Sequence, residues 1–168
     1  QKYLLFIPYK NRIGTKSLEV SEKTIKKTYL PKSNQFDLFV YTETIFVKDR
    51  KKKKMIRLQM EARLRKLLII FLRYKDMVIS PIPLYRRAWA DSPDRLRRID
   101  ADSYVTEYIK VAKSKLKTLI SNYVPSFEVD KPRSQGYICK GDFYFCVIID
   151  SKDDKKYRLS EAKEVNGY

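Results

Sequence analysis

The sequence contains no histidine, two cysteines, four glycines and one tryptophan, and these scarcities narrow what the chain can do. Histidine is the side chain whose unperturbed titration lies near neutral pH, so hydrolase triads lose their usual base. Two cysteines without histidine cannot complete an ordinary tetrahedral zinc site. Cys139 and Cys146 flank a Gly141-Asp142 turn. Folded as a hairpin, this segment would set Cys139 opposite Tyr144 and Cys146 diagonally across, too far for a relaxed disulfide. The longest apolar run, Leu67–Leu72, is far shorter than the ~20 residues that span a bilayer. The first residues, Gln1–Pro8, lead into no small-residue cleavage site, so a secretory signal is not evident and a soluble, cytoplasmic setting is expected.

Acids are also in deficit, with 20 Asp and Glu against 37 Lys and Arg and a formal net charge of +17. A compact chain so charged repels itself unless a polyanion or counterions neutralise it, and nucleic acid is the commonest such partner. Hydrophobic residues at 43% and aromatics at 13% are enough to bury one core. The expected organisation is a β-rich extension over 1–35, a main domain over 36–149 and a charged tail over 150–168.

Lys2–Pro8 and Phe36–Val47 have the aromatic and β-branched make-up of strands, the latter with a break near Thr42–Thr44. Lys48–Lys54 holds six basic residues around Asp49 and suits a solvated hairpin turn, with Met55–Leu58 as the returning strand. From Leu64 the period becomes helical, with Leu64, Leu67, Leu68, Phe71 and Leu72 on one stripe. Ser80-Pro81 marks the start of a short helix, serine capping it and proline taking the first position. Asp102 or Ser103 starts a longer helix to about Ile120, with Val105, Ile109, Ala112, Leu116 and Leu119 facing inward. At the helical repeat, Ser103, Thr106, Lys110, Lys113 and Lys117 share an arc of roughly 80° that carries no acid. Strands are then expected at Ser126–Val129, Gly136–Cys139 and Phe143–Ile149, the first two enclosing a basic loop, Asp130–Gln135, with Lys131 and Arg133. The rest, from Asp150, mixes charges and reads as a tail or one edge strand.

This order of elements, with Val78-Ile79-Ser80 after the first helix, Leu84-Tyr85-Arg86-Arg87-Ala88-Trp89-Ala90-Asp91, the pair Lys115-Leu116 and Gly136-Tyr137, resembles the winged-helix output domain of OmpR/PhoB-type response regulators. The similarity covers about Phe36–Cys139. It implies an α+β fold, a winged helix-turn-helix with an N-terminal antiparallel sheet and a C-terminal β-hairpin wing, acting as a sequence-specific DNA-binding transcription regulator. In such a domain Ser103, Thr106 and Lys110 would approach base edges in the major groove, Lys113 and Lys117 would meet phosphates, and Lys131 and Arg133 would reach the adjacent minor groove or backbone. The loop matching Asp91–Asp100 touches RNA polymerase in some members; here Arg95, Arg97 and Arg98 equally suit phosphate contact. Where the family usually carries arginine this chain has Ser103, Val111 and Ser114, and only Lys113 keeps the charge; lysine is a point charge where arginine can bridge guanine bidentately. The first 35 residues are too few for a receiver domain, so control by phosphorylation is not expected.

Two other functions stay open. The 13 tyrosines and 8 phenylalanines could stack on single-stranded DNA or RNA in a nucleoprotein or ribonucleoprotein subunit that does not read sequence. Asp150 with Glu161-Ala162-Lys163 has the form of a metal-dependent nuclease motif, two carboxylates for Mg²⁺ and a lysine for the phosphate. The main expectation remains a non-enzymatic, cofactor-free protein with duplex DNA as partner, located at the nucleoid.

Overall fold

A computed structural model describes residues 2–10, 12–92, 102–132 and 136–159, with side chains of the longest helix from Val105 onward. The elements run β1 (Lys2–Pro8), β2 (Thr15–Ser21), α1 (Glu22–Thr24, continuing as a π-helical turn Ile25–Tyr29), β3 (Leu38–Tyr41), β4 (Thr44–Asp49), β5 (Lys54–Arg57), α2 (Ala62–Arg73), α3 (Pro81–Ala88), α4 (Asp102–Ser121), β6 (Glu128–Asp130), β7 (Ile138–Lys140), β8 (Phe145–Asp150) and α5 (Asp154–Tyr157). The fold is mixed α+β. Six strands form one sheet in the order β2-β1-β8-β3-β4-β5, and β6-β7 form a separate hairpin. All pairings in the large sheet are antiparallel except β3 with β8.

The alternation along each strand sorts residues onto two faces, as the period of two requires. Phe6, Leu38, Val40, Val147 and Ile149 face the helices, whereas Tyr3, Leu5, Phe39, Cys146 and Ile148 face a smaller core closed by Ile25 and Phe36. Strand β8 is buried on both faces except at its last residue, which explains its unbroken apolar run Phe145–Ile149. It lies between β1 and β3. The boundary drawn at residue 35 therefore runs through one hydrogen-bonded sheet, to which β1 and β2 belong.

Helix α2 departs from the one-stripe expectation. Leu64 and every residue from Leu67 to Leu72 are buried, because the helix is covered by the sheet on one side and by α3, α4 and α5 on others. Ser80 occupies the N-cap position of α3 but makes no capping bond; its Oγ is buried without a partner among the described residues. The helix is started instead by Pro81 and by Leu84 N–H donating to the Ser80 carbonyl at 3.2 Å.

The hairpin imagined between Cys139 and Cys146 does not form. Cys139 pairs with Val129 in β6-β7, and Cys146 pairs with Phe39 in the large sheet, so β7 and β8 belong to different sheets. Gly141 makes the change of direction: at φ +138° its Cα passes so close to Ser126 that a Cβ would lie 2.1 Å from that residue's carbonyl oxygen. Both thiols are free and buried. The segment after Asp150 is also not a bare tail, since Tyr157 and Leu159 enter the main core. Tyr74 Oη accepts the Leu159 N–H at 2.8 Å, and Arg73 forms an ion pair with Asp154. Two apolar residues suffice there because α2 supplies both a surface and polar partners. Residues 160–168 lie outside the described part.

Candidate nucleic-acid interface

Helix α4 buries Val105, Ile109, Ala112, Leu116 and Ile120 against the core. Leu119, expected on that stripe, is only partly buried and packs at its edge. This fixes the helix rotation and turns the Thr106–Lys117 face away from the core. Lys110 and Lys117 are exposed and Thr106 and Lys113 half-buried. The side chain of Ser103 lies outside the described residues, as do Arg133 and the loop with Arg95, Arg97 and Arg98.

The hairpin β6-β7 is set beside this face by Tyr137. The stretch before α3 pairs with the hairpin: Ile79 and Tyr137 exchange two backbone bonds, both 2.8 Å, and Asp76 N–H donates to the Cys139 carbonyl at 2.8 Å. Gly136 is required at the crossing. Its φ is +116°, and a Cβ there would meet the Ile79 carbonyl oxygen at 2.2 Å. The Tyr137 ring is fully buried and its hydroxyl donates a long bond, 3.5 Å, to the Thr106 carbonyl. Burial, with a further contribution from Glu107, raises the Tyr137 pKa above the ordinary tyrosine value, so the hydroxyl remains a donor at neutral pH.

Two lysines meet over this ring. Lys113 from α4 has its ammonium 5.9 Å from the Tyr137 centroid, and Lys131 from the β6-β7 loop has its own at 5.6 Å. Both distances are in the range of cation–π attraction. The ring thus gathers one charge from the helix and one from the loop onto one surface. Other charges are partly neutralised. Lys117 pairs with Glu128 at 3.6 Å and Lys140 with Asp130 at 2.8 Å. The Lys140 ammonium holds the Asp130 carboxyl below the usual carboxylate range. Of the residues expected in the site, Thr106, Lys110, Lys113, Lys117 and Lys131 lie on α4 and the adjoining loop. The role of Tyr137 as the joint between them was not read from the sequence, where it stood only as half of a Gly-Tyr step.

The arrangement offers an open, cationic helix face with a flanking cationic loop, suited to a polyanion backbone. Of the nuclease-like motif, Asp150 ends β8 and accepts the Lys152 N–H at 3.0 Å, capping the turn that follows; Glu161 and Lys163 lie outside the described residues. Compared with known proteins, the chain matches no family model, no curated protein and no solved structure.

Proposed function

We infer that this chain is a winged-helix DNA-binding protein acting in transcription regulation, with α4 lying in the major groove and the β6-β7 loop on the adjacent groove or backbone. The observation that carries this reading is the convergence of Lys113 and Lys131 on Tyr137, which makes helix and loop a single basic surface. Two further features support it. The strand pairing of Ile79 with Tyr137 ties the start of α3 to the hairpin, and α4 presents Lys110, Lys113 and Lys117 together on one flank of its buried stripe. The net charge of +17 favours association with a polyanion at low salt. RNA polymerase is a further partner that the loop after Asp91 would serve.

The test is binding of labelled duplexes over a range of salt. Thr106→Ala and Lys110→Ala should change the preference among duplexes, by about 1–3 kcal/mol at individual base pairs. Lys113→Ala, Lys131→Ala and Arg133→Ala should weaken all duplexes alike, each reducing the slope of log affinity against log salt by about one. Lys117→Ala should do less, since its charge is already shared with Glu128. If no duplex is preferred and both sets act alike, the charge-driven nucleoprotein role replaces this one. A salt slope near zero removes nucleic acid as the ligand.

A further inference from the structure

Beside the first turn of α2 lies a half-open cavity of about 190 Å³ lined by Glu43, Arg63, Arg65, Lys66, Asp91 and Lys156. None of these residues belongs to the helix-and-loop surface described above. Ala62, Arg65 and Lys66 stand at i, i+3 and i+4 and so share a face, and α5 brings Lys156 across from them. Four cations and two acids therefore face one small space.

The acids do not balance the cations where it matters. Asp91 is held by Arg63 at 2.7 Å, and that guanidinium also donates to the Ala88 carbonyl and to Ser92 Oγ at 3.1 Å. Lys156 is paired with Asp153 at 3.0 Å, and Glu43 is exposed. Lys66 is half-buried and, among the described residues, makes no ion pair or hydrogen bond. Burial disfavours its charge, Asp91 supports it, and Arg63, Arg87 and Lys156 oppose it, so its pKa lies below the ordinary lysine value. The neighbouring Arg87 has its Nε buried without a partner among the described residues. A half-buried ammonium without a partner is costly, and a small multivalent oxyanion in the cavity would satisfy both the charge and the unused donors of Lys66. The volume is below the 300–1,000 Å³ usual for drug-sized ligands and suits a single such group.

The geometry points to a binding site for a phosphate group, free or carried on a small monoester, held by Lys66 with Arg65, Lys156 and Arg63. Trp89, the one tryptophan of the chain, reports on it, because the Arg63 guanidinium lies 5.0 Å over its ring. Inorganic phosphate and, separately, adenosine monophosphate are titrated at constant ionic strength while tryptophan fluorescence and thermal stability are followed, with sodium chloride as the control. A saturable response to phosphate that chloride does not give, with a rise in Tm, is expected. Response to both ligands supports a site open to monoesters, and response to inorganic phosphate alone supports one closed over the free ion. Lys66→Gln should fold with a Tm no lower than the wild type without phosphate, lose affinity by about tenfold or more, and keep wild-type affinity for duplex DNA. Equal responses to chloride and phosphate, or an unchanged affinity in Lys66→Gln, would overturn the proposal. Loss of duplex binding together with phosphate binding would also overturn it, assigning the cavity to the nucleic-acid surface instead.

Discussion

Gly136 shows how a single residue decides where the candidate interface lies. Its missing Cβ lets β7 cross the Ile79 carbonyl, and its φ of +116° is one that side chains other than glycine rarely adopt. Gly136→Ala should therefore destabilise the fold by about 3 kcal/mol or more, adding a steric clash to backbone strain. Urea denaturation measures the loss, and duplex affinity should fall with it because Tyr137 and Lys131 move. The cysteines make a different residue-scale prediction. Burial pushes the Cys146 thiol up to about 12 and raises Cys139 as well. A thiol whose folded value is raised contributes stability that is complete below its unfolded value, near 9, and is lost as pH rises toward the folded one. Stability under reducing conditions should thus decline between pH 9 and pH 12, joined above pH 10 by Tyr157, which burial raises to about 12. A Cys146→Ala variant should show a shallower decline. At about pH 9 neither thiol of the native protein should react with an alkylating agent, whereas both should react in denaturant.

Among the elements, α2 and α3 illustrate what periodicity can and cannot tell. The apolar stripe of Leu64, Leu67, Leu68, Phe71 and Leu72 was legible, since each lies on the side that any packing partner would bury. Burial of Ile69 and Ile70 as well depends on α2 being covered from several directions, which no helical repeat encodes. At the end of α3, Trp89 stacks on Tyr85 with centroids 4.8 Å apart and meets Tyr108 of α4 edge-on at 6.1 Å. Trp89→Ala should cost about 3–5 kcal/mol, since the ring joins α3 to α4 and little can collapse into the space. Thermal or urea unfolding checks this; a cost below about 1 kcal/mol would place Trp89 among surface residues. The exposed basic flank of α4 was legible for a related reason. The stripe Val105, Ile109, Ala112 and Leu116 fixes the rotation of the helix, and Thr106, Lys110, Lys113 and Lys117 are what remains on one flank.

For the whole molecule, the position of β8 has the largest consequences. It hydrogen-bonds to β1 on one side and to β3 on the other, so the middle of the sheet pairs residues far apart in the chain, such as Phe6 with Val147. A fragment of residues 36–144 lacks both β1 and β8 and should not fold cooperatively, because Leu38, Val40 and the buried side of α2 would lose their cover. Circular dichroism and urea unfolding of that fragment against the full chain would test this; a sharp transition at the full chain's midpoint would show that 36–144 stands alone. The expected pairing of β7 with β8 failed at this scale too. Local sequence around Gly141 allows a hairpin, but β8 finds two strands to bond in the large sheet, where both its faces become buried.

The sequence by itself determined the identity of most elements, the inward stripe of α4, the break between β3 and β4, and the basic character of the exposed helix face, because these follow from periods of 2 and 3.6 and from net charge. That no disulfide joins the two cysteines was argued from a hairpin that does not form; Cys139 and Cys146 instead belong to different sheets. Only the tertiary structure decided that β1 and β8 are neighbours, that Tyr157 and Leu159 are core, that Tyr137 unites Lys113 with Lys131, and that Arg65, Lys66 and Lys156 close on one cavity. Each of these is a meeting of residues distant in the chain. Such meetings are selected by how much apolar surface the whole assembly can bury and how many backbone groups it can satisfy, quantities that no local window of sequence contains.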